Sequence, residues 1–401
     1  MTEKFLPYGR QVIDDDDIAA VVAVLKGDFL TTGPTVEKFE AAFAERTGTR
    51  FAVACSSGTA ALHIATLATG IGEGDSAIVP TVTFLATANA VRFVGADVVF
   101  SDVDSATGLL RPEDFEAALA ASAGNAKAVL PVHLGGQSAD MAAIAKIAAR
   151  HGMIVIEDAC HALGTTLNSG GVVGDCRHSA MAAFSFHPVK TIAMGEGGAV
   201  TTNDPILHDR LTRLRNHGMT RDPKRFRNTD LAFGADGAPN PWYYEMPDIG
   251  FNYRASDIHC ALGLSQLRKL DAFVSRRRFL ADAYDRLLTP LAPHVLPPHR
   301  VEWCDPGWHL YAARIDFAGL GIPREQVISK LKAAGVGTQV HYIPVHTQPY
   351  YQDLVGPQQL PGAMAYYRAT LSLPLFPSMT TEDVGHVVKA IEGIVSASLR
   401  K

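Results

Sequence analysis

The stretch FAVACSSGTAALHIATLATG, residues 51–70, decides the fold class of this chain. FAVAC is a short apolar run typical of a buried strand, and TAALHIATLATG spaces its apolar residues three and four apart, as an amphipathic helix does. The turn SSG joins the two. A buried strand that leads through a tight turn into a helix is the first part of a β-α-β unit, so it predicts a parallel sheet.

The same alternation recurs along the first half of the chain. Apolar runs of strand character begin at residues 76, 96, 127, 153 and 180, with the sequences SAIVPTVTF, ADVVFSDVD, KAVLPVHLG, MIVIEDAC and AMAAFSF. Segments of helical periodicity, such as MAAIAKIAARHG, separate them. We therefore expect a mostly parallel α/β sheet, with its ligands bound beyond the carboxyl ends of the strands.

The pattern changes beyond about residue 205. A basic helical stretch, LHDRLTRLRNHGM, leads into a Gly/Pro/Asn-rich region and then into a long helical segment that starts at residue 255. From about residue 289, strand-like HLYAARIDF mixes with helical PREQVISKLKAAG. Since 401 residues exceed what one compact core usually holds, we expect two domains: residues 1–265 as a large α/β domain and residues 266–401 as a smaller α+β domain.

Composition excludes several classes of partner. The 36 basic residues are outnumbered by 41 acidic ones, so the chain lacks the basic excess that nucleic-acid binding needs. No stretch approaches the roughly 18 uninterrupted apolar residues of a membrane span, and no apolar leader begins the chain. The five cysteines form no CxxC pair and no metal-ligand spacing. We expect a cytoplasmic protein that binds no membrane, no nucleic acid and no metal.

Three local motifs are candidates for chemistry. The turn before TAALHIA exposes helix N-terminal N–H groups that suit a phosphate, although such a turn is more often a plain helix cap. Asp158 ends a buried strand, with His161 close behind, and a carboxylate there needs a cationic partner or else caps the following turn. Lys190 lies in a tight loop, where desolvation would favour a nucleophilic free amine, although most lysines are solvated. In this order, the three motifs are the parts that bind pyridoxal phosphate.

The order SSGTAA, IEDACHALG, SFHPVKTIAMGEGGAVTT, RNHGM, GFNYRASDIHCALGLSQL and QVHYIPVHTQPYY resembles the DegT/DnrJ/EryC1/StrS family of nucleotide-sugar aminotransferases, from about Tyr8 to the C-terminus. The resemblance implies the type I fold of pyridoxal-phosphate-dependent transferases, that of aspartate aminotransferase. It also implies transfer of an amino group from L-glutamate to C4 of a nucleotide-linked 4-keto-6-deoxy sugar.

The resemblance assigns the cofactor site residue by residue. Lys190 matches the lysine that links covalently to the cofactor and later moves a proton, and Asp158 matches the carboxylate that keeps the pyridine nitrogen protonated. His161 lies beside the ring, and Phe84 matches the aromatic residue stacked on its other face. The phosphate cradle matches Gly58, Thr59 and Ser185. Plain structural roles stay open, with Phe84 as a core residue and Ser185 as a turn former.

The resemblance also predicts a homodimer with shared active sites, because Asn252 matches a residue that reaches the cofactor phosphate of the neighbouring subunit. An asparagine that caps a turn is the alternative. Two segments match the family's substrate contacts, although each is apolar enough for ordinary packing: Tyr8, Asp28, Phe29, Leu30 and Thr31, then Gln339, Val340, His341 and Tyr342.

The N-terminal pattern is most similar to the branch of the family that acts in pseudaminic-acid biosynthesis, whose substrate is UDP-2-acetamido-2,6-dideoxy-β-L-arabino-hexos-4-ulose. Residues 226–250 form a longer stretch than the family usually has, either a lid or a surface excursion, which leaves GDP-perosamine-type and dTDP-amino-sugar enzymes as alternatives. The sugar dehydrases of this fold typically carry histidine where this chain has Lys190. A non-catalytic protein of this fold would need neither Lys190 nor Asp158.

Overall fold

The computed structural model describes residues 5–400. Its strands are β1 Phe51–Cys55, β2 Ser76–Pro80, β3 Asp97–Ser101, β4 Ala126–Val129, β5 Ile154–Asp158, β6 Thr166–Leu167, β7 Met181–Ser185, β8 Gly198–Thr202, β9 Val295–Leu296, β10 Cys304–Asp305, β11 Tyr311–Ile315 and β12 Thr370–Leu373.

Its α-helices are α1 Asp15–Leu25, α2 Pro34–Thr47, α3 Gly58–Thr69, α4 Leu85–Phe93, α5 Pro112–Ala121, α6 Met141–Arg150, α7 Pro205–Leu214, α8 Thr229–Ala232, α9 Asp257–Leu267, α10 Leu270–Leu288, α11 Arg324–Ala333, α12 Pro349–Val355, α13 Pro361–Ala369 and α14 Thr381–Leu399.

A seven-stranded sheet forms the centre, in the order β1-β8-β7-β5-β4-β2-β3. Only β8 is antiparallel to its neighbours; the pairs from β7 to β3 are all parallel. The expected mixed α/β architecture with a mostly parallel sheet is confirmed. Since β5 and β7 are neighbours with Asp158 opposite Ala183, the loops after both strands emerge side by side.

Helices cover both faces of this sheet. Along β1, Val53 and Cys55 pack into one apolar core with α3, while Ala52 and Ala54 pack into another core with α2. Successive strand residues point to opposite faces, so the fully apolar FAVAC matches a strand buried on both sides. The side chain of Ser57 caps the start of α3 by accepting from the amide N–H of Ala60.

A separate core lies in the C-terminal third. The antiparallel sheet β12-β11-β9 packs with α10, α11 and α14. The helix α10 joins the two cores, because Leu270 and Val274 pack with the large sheet whereas Leu280 packs with the C-terminal residues. Leu6 also belongs to the C-terminal core. The division at residues 265/266 stays a prediction, and the change of core falls along α10.

Candidate active site

A cavity of about 570 Å³ opens beyond the carboxyl ends of β5 and β7. The loops after these strands and the starts of α3 and α4 form its walls. Many of the residues singled out from the sequence line it: Tyr8, Gly58, Thr59, Phe84, Asp158, His161, Ser185, Lys190, Gln339, Val340, His341 and Tyr342. Residues from both ends of the chain therefore meet at one site.

Lys190 lies in the loop that follows β7. Its backbone N–H donates to the carbonyl of His187 over 2.8 Å, which closes a tight turn and directs the chain back toward the cavity. Burial lowers the pKa of the Lys190 ammonium, an effect that the neighbouring Cys160 and Asp158 only partly oppose. The ammonium of Lys190 therefore loses its proton more easily than the ammonium of an ordinary surface lysine.

Asp158 is the last residue of β5 and is only 5% exposed. Its carboxylate accepts a hydrogen bond of 2.6 Å from the hydroxyl of Thr87 and one of 3.1 Å from the backbone N–H of Cys160. Both donors are neutral, so neither supplies a positive charge to pair with this carboxylate at the wall of the cavity. A buried carboxylate of this kind suits a cationic ring nitrogen.

The start of α3 forms a narrow cradle against the end of β7. A Cβ atom added to Gly58 would lie 2.6 Å from the Cβ of Ser185, so only glycine allows the two backbones to approach so closely. Thr59 is exposed at the cavity wall. The first N–H groups of a helix have no partner within it, and they favour a phosphate together with the hydroxyls of Thr59 and Ser185.

Phe84 immediately precedes α4 and is 55% exposed, which is unusual for a phenylalanine beside a core. Its ring borders the cavity and lies 5.8 Å from the ring of Tyr342. An open aromatic face at the wall of a cavity is suited to stacking on a flat ligand ring.

Imidazole and phenol groups form the wall that faces Lys190. The Nε2 of His161 lies 3.0 Å from the hydroxyl of Tyr342, and its Nδ1 accepts from the backbone N–H of Gly135. Because Nδ1 is an acceptor, the proton of the neutral ring is on Nε2 and points to Tyr342. The ring of His309 packs against that of His161, with 4.4 Å between centroids.

These histidines are uncharged. Burial lowers the pKa of His161 and of His309 far below the ordinary value, and the positive charge of Lys190 lowers both further. Burial likewise lowers the pKa of His341 to about 3. Burial also raises the pKa of Tyr8 and of Tyr342. At neutral pH this wall therefore offers neutral hydrogen-bonding groups.

Some predicted site residues lie elsewhere on this chain. Asn252 is exposed in a bridge with Asn216, and residues 28–31 are exposed beside the start of α9, where Thr31 pairs with Ser256. Neither group lines the cavity. The roles of Asn252 and of residues 28–31 in binding cofactor and substrate therefore stay predictions.

Residues 226–250 are folded back on themselves at the surface. The carboxylate of Glu245 accepts 2.8 Å hydrogen bonds from the backbone N–H groups of Arg227 and Asn228, and a 2.9 Å one from the Tyr243 hydroxyl. Trp242 is 72% exposed. This stretch does not line the cavity of its own chain, and its role as a lid or as a surface excursion stays a prediction.

Several residues at the site were not predicted from the sequence. Thr87 binds Asp158, Cys160 lines the cavity and His309 packs against His161. Thr87 lies one helical turn beyond Phe84, so helical spacing carried a signal for it. His309 had no local signal, because it lies in a loop before a strand of the C-terminal core.

The fold and this constellation define a pyridoxal-phosphate-dependent transferase of the type I class. A lysine with a depressed pKa, a buried carboxylate and a glycine-dependent cradle occur in one cavity, which is what the cofactor requires. Among residues 5–400 no group of histidine, cysteine or carboxylate side chains is arranged to hold a metal ion. No helix in the same range is long and apolar enough to cross a membrane.

Comparison with known proteins gives the family. The model of the DegT/DnrJ/EryC1/StrS aminotransferase family matches residues 11–392. The chain belongs to this family: it is a sugar aminotransferase, and its cofactor is pyridoxal phosphate. The chain is 40% identical over 399 residues to the spore coat polysaccharide biosynthesis protein SpsC of Bacillus subtilis, with 98% of each chain covered.

Two solved structures are similar over nearly the whole chain. PseC of Helicobacter pylori, an aminotransferase involved in the biosynthesis of pseudoaminic acid, superposes with a TM-score of 0.88 at 28% identity, covering 98% of this chain and 100% of PseC. The PLP form of Spr1654, a putative sugar aminotransferase from Streptococcus pneumoniae, gives a TM-score of 0.86 at 26% identity, covering 98% and 99% of the two chains.

Proposed function

We propose that this aminotransferase moves an amino group from L-glutamate to C4 of a nucleotide-linked 4-keto-6-deoxy sugar. One observation carries the proposal: Lys190 and Asp158 line the same cavity, and the cradle at Gly58 lies beside them. Pyridoxal phosphate, when bound, supplies the carbonyl carbon and the electron-withdrawing ring for amino-group transfer. The protein supplies the binding, orientation and proton transfer.

Two residues carry the chemical roles. Lys190 would hold the cofactor through its amine and would move the proton at the reacting carbon; its lowered pKa increases the fraction present as free amine. Asp158 holds a proton on the pyridine nitrogen, because its buried carboxylate favours the cationic ring. A histidine at position 190, as in the sugar dehydrases, would lack the primary amine, which argues against that reaction.

The residues that line the cavity support the remaining proposed cofactor contacts. Gly58, Thr59 and Ser185 would bind the phosphate at the start of α3, and Phe84 would stack on one face of the ring. His161 stays neutral beside the ring, held by the Tyr342 hydroxyl and the Gly135 N–H. A neutral imidazole adds no charge that would compete with the protonated ring nitrogen.

The sugar contacts are proposed on the wall that faces Lys190. Tyr8, Gln339, Val340, His341 and Tyr342 border the cavity there. Uncharged phenol and imidazole groups suit a sugar, which presents hydroxyl and carbonyl groups and no charge of its own. Residues 28–31 are proposed to complete this site for the partner subunit.

We propose a homodimer with shared active sites. Asn252 and residues 28–31 are exposed and do not line the cavity of their own chain. The apolar side chains Ile18, Val22 and Leu25 lie along one side of α1 and are exposed by 54%, 37% and 54%. Such a stripe on a single chain is typical of a surface that another subunit covers.

The narrower proposal for the substrate is UDP-2-acetamido-2,6-dideoxy-β-L-arabino-hexos-4-ulose, on the route to pseudaminic acid. The likeness to PseC supports it, and so does the N-terminal pattern. The higher identity to SpsC, whose name concerns spore coat polysaccharide, favours a different nucleotide sugar as the second candidate. We also place the enzyme in the cytoplasm, because all five cysteines are free.

Steady-state kcat/KM with L-glutamate across UDP-, GDP- and dTDP-linked 4-keto-6-deoxy sugars tests both levels of the proposal. We expect amination of at least one sugar at C4, and the highest value for the UDP sugar. A tenfold preference for a GDP or dTDP sugar would overturn the narrow assignment only. Absence of any amino sugar product, with cofactor bound, would overturn the proposed reaction.

A further inference from the structure

A second cluster of polar groups is buried behind the cavity. His133 and Glu157 are 0% and 4% exposed, and the Nε2 of His133 lies 2.8 Å from the Oε2 of Glu157. The other carboxylate oxygen of Glu157 accepts from the hydroxyl of Ser179 over 2.5 Å. The Nδ1 of His133 accepts from the backbone N–H of Ala139, so the imidazole proton is on Nε2 and points to Glu157.

Hydrogen bonds hold the buried carboxylate of Glu157 in place. Burial alone would raise the pKa of Glu157, but its hydrogen bond and electrostatic interaction with His133, together with hydrogen bonds from Ser179 and the backbone of Gly174, outweigh burial and leave that pKa below its ordinary value. A buried carboxylate is a costly way to fill space, since apolar side chains would pack there without desolvating a charge. We therefore expect this cluster to fix the position of the strand that carries it.

The backbone connects this cluster to Asp158. Glu157 and Asp158 are consecutive in β5, so their side chains point to opposite faces of the sheet. The N–H of Asp158 donates to the carbonyl of Pro131 over 2.9 Å, and the N–H of His133 donates to the carbonyl of Asp158 over 3.0 Å. His133 is therefore bound to β5 twice, by its backbone to Asp158 and by its side chain to Glu157.

We propose that His133 and Glu157, with Ser179, are positioning residues that fix Asp158 at the wall of the cavity. The inference rests on the proposed function, because Asp158 matters only as the partner of the cofactor ring. These three side chains, which we call the clamp, join the segment after β4 to the end of β5 on the face of the sheet away from the cavity. Without these side-chain contacts only the two backbone hydrogen bonds join the segments, and the Asp158 carboxylate is held less firmly in its direction.

The first test measures amide hydrogen exchange in the cofactor-free protein, so it does not depend on activity. In Glu157→Ala we expect exchange of the amides of His133 and Asp158 to rise at least tenfold, with β3 unchanged. Ser179→Ala, which removes one donor, should raise it less. Glu157→Gln should stay near wild type, since an amide can still accept from His133 and donate to Ser179. Unchanged exchange in Glu157→Ala would overturn the clamp.

The second test is a double-mutant cycle with Asp158→Asn. If Glu157 acts through Asp158, Glu157→Ala lowers kcat per bound cofactor at least tenfold in the wild-type background and less than twofold in the Asp158→Asn background. The control Lys127→Ala, an exposed position on β4, should leave kcat unchanged in both. Equal losses in both backgrounds would show a merely structural role and overturn the inference.

The two tests separate failure of this inference from failure of the proposed function. A chain that forms no amino sugar although its amides exchange as expected would contradict the function and leave the clamp in place. A fully active Glu157→Ala enzyme with unchanged exchange would contradict the clamp alone.

Discussion

Two opposing electrostatic effects act on the pKa of Lys190. Burial favours its neutral amine, whereas Asp158 and Cys160 favour the charged form. Burial has the larger effect, so the free amine, the form that can attack a carbonyl, is more accessible at Lys190 than at a surface lysine. The same balance explains why the sequence context alone gave only weak support for this lysine: desolvation depends on the surrounding fold.

Replacing Lys190 with alanine is expected to remove the visible absorbance of lysine-bound cofactor and to abolish turnover, because the covalent link and the proton-transfer group are both lost. The cradle at Gly58 is untouched, so the cofactor should still bind noncovalently. Absorbance spectra and far-UV circular dichroism check this. A variant that kept both the visible band and turnover would contradict the role of Lys190.

For Asp158→Asn we expect cofactor binding to persist and kcat to fall by roughly 100-fold or more, a loss of the size seen when one preorganised electrostatic group is removed. A neutral amide does not hold a proton on the ring nitrogen. Single-turnover kinetics with L-glutamate measure the step directly. Wild-type rates in that half-reaction would exclude this role for Asp158.

His341 gives a prediction about pH. Its pKa is about 3 in the folded protein and 6.5 ordinarily, so below pH 6.5 the unfolded chain takes up a proton that the folded chain does not. The free energy of unfolding should then fall with decreasing pH, by about 1.4 kcal/mol per pH unit for this residue. Urea unfolding of cofactor-free protein between pH 4 and 7 tests it.

In that series His341→Asn should show a shallower slope than wild type, since one titrating group is gone. Asparagine can keep the hydrogen bond of 2.8 Å that joins Nδ1 of His341 to the hydroxyl of Ser372. Identical slopes for the two proteins would mean that His341 titrates normally in the folded state.

At the scale of elements, the shape of the phosphate cradle depends on how closely α3 approaches β7. A Cβ on Gly58 would meet Ser185 at 2.6 Å, so the helix would have to move away from the strand. We expect Gly58→Ala to weaken cofactor affinity at least tenfold, measured by equilibrium dialysis. The control Gly385→Ala lies in α14 with nothing within 4 Å of the added atom and should bind normally.

At the scale of the whole molecule, the expected assembly is a homodimer. Ile18→Glu combined with Leu25→Glu places charges on the exposed apolar stripe of α1 and should shift the protein to monomer in sedimentation, with loss of activity. Leu399→Glu, at a residue 56% exposed on α14, is the control and should leave the assembly intact. Retention of an active dimer in the double variant would rule out the stripe as the interface.

The sequence by itself determined the sheet class and the order of the chemical motifs along the chain. Strand and helix periodicity depends on neighbours two to four residues apart, so FAVACSSGTAALHIATLATG was sufficient to indicate a β-α-β unit. The local sequence also indicated the motifs around Asp158 and Lys190, because each lies at or just beyond the end of its own strand.

Only the tertiary structure decided which residues share the cavity. His309 and the His133–Glu157 pair had no signal in the linear pattern, and helical spacing alone did not show that Thr87 binds Asp158. These contacts join segments that are distant along the chain. The apolar core likewise changes along α10, inside one continuous helix that carries no boundary signal. Packing between distant segments sets burial, and burial sets the pKa of Lys190 and of the histidines around it.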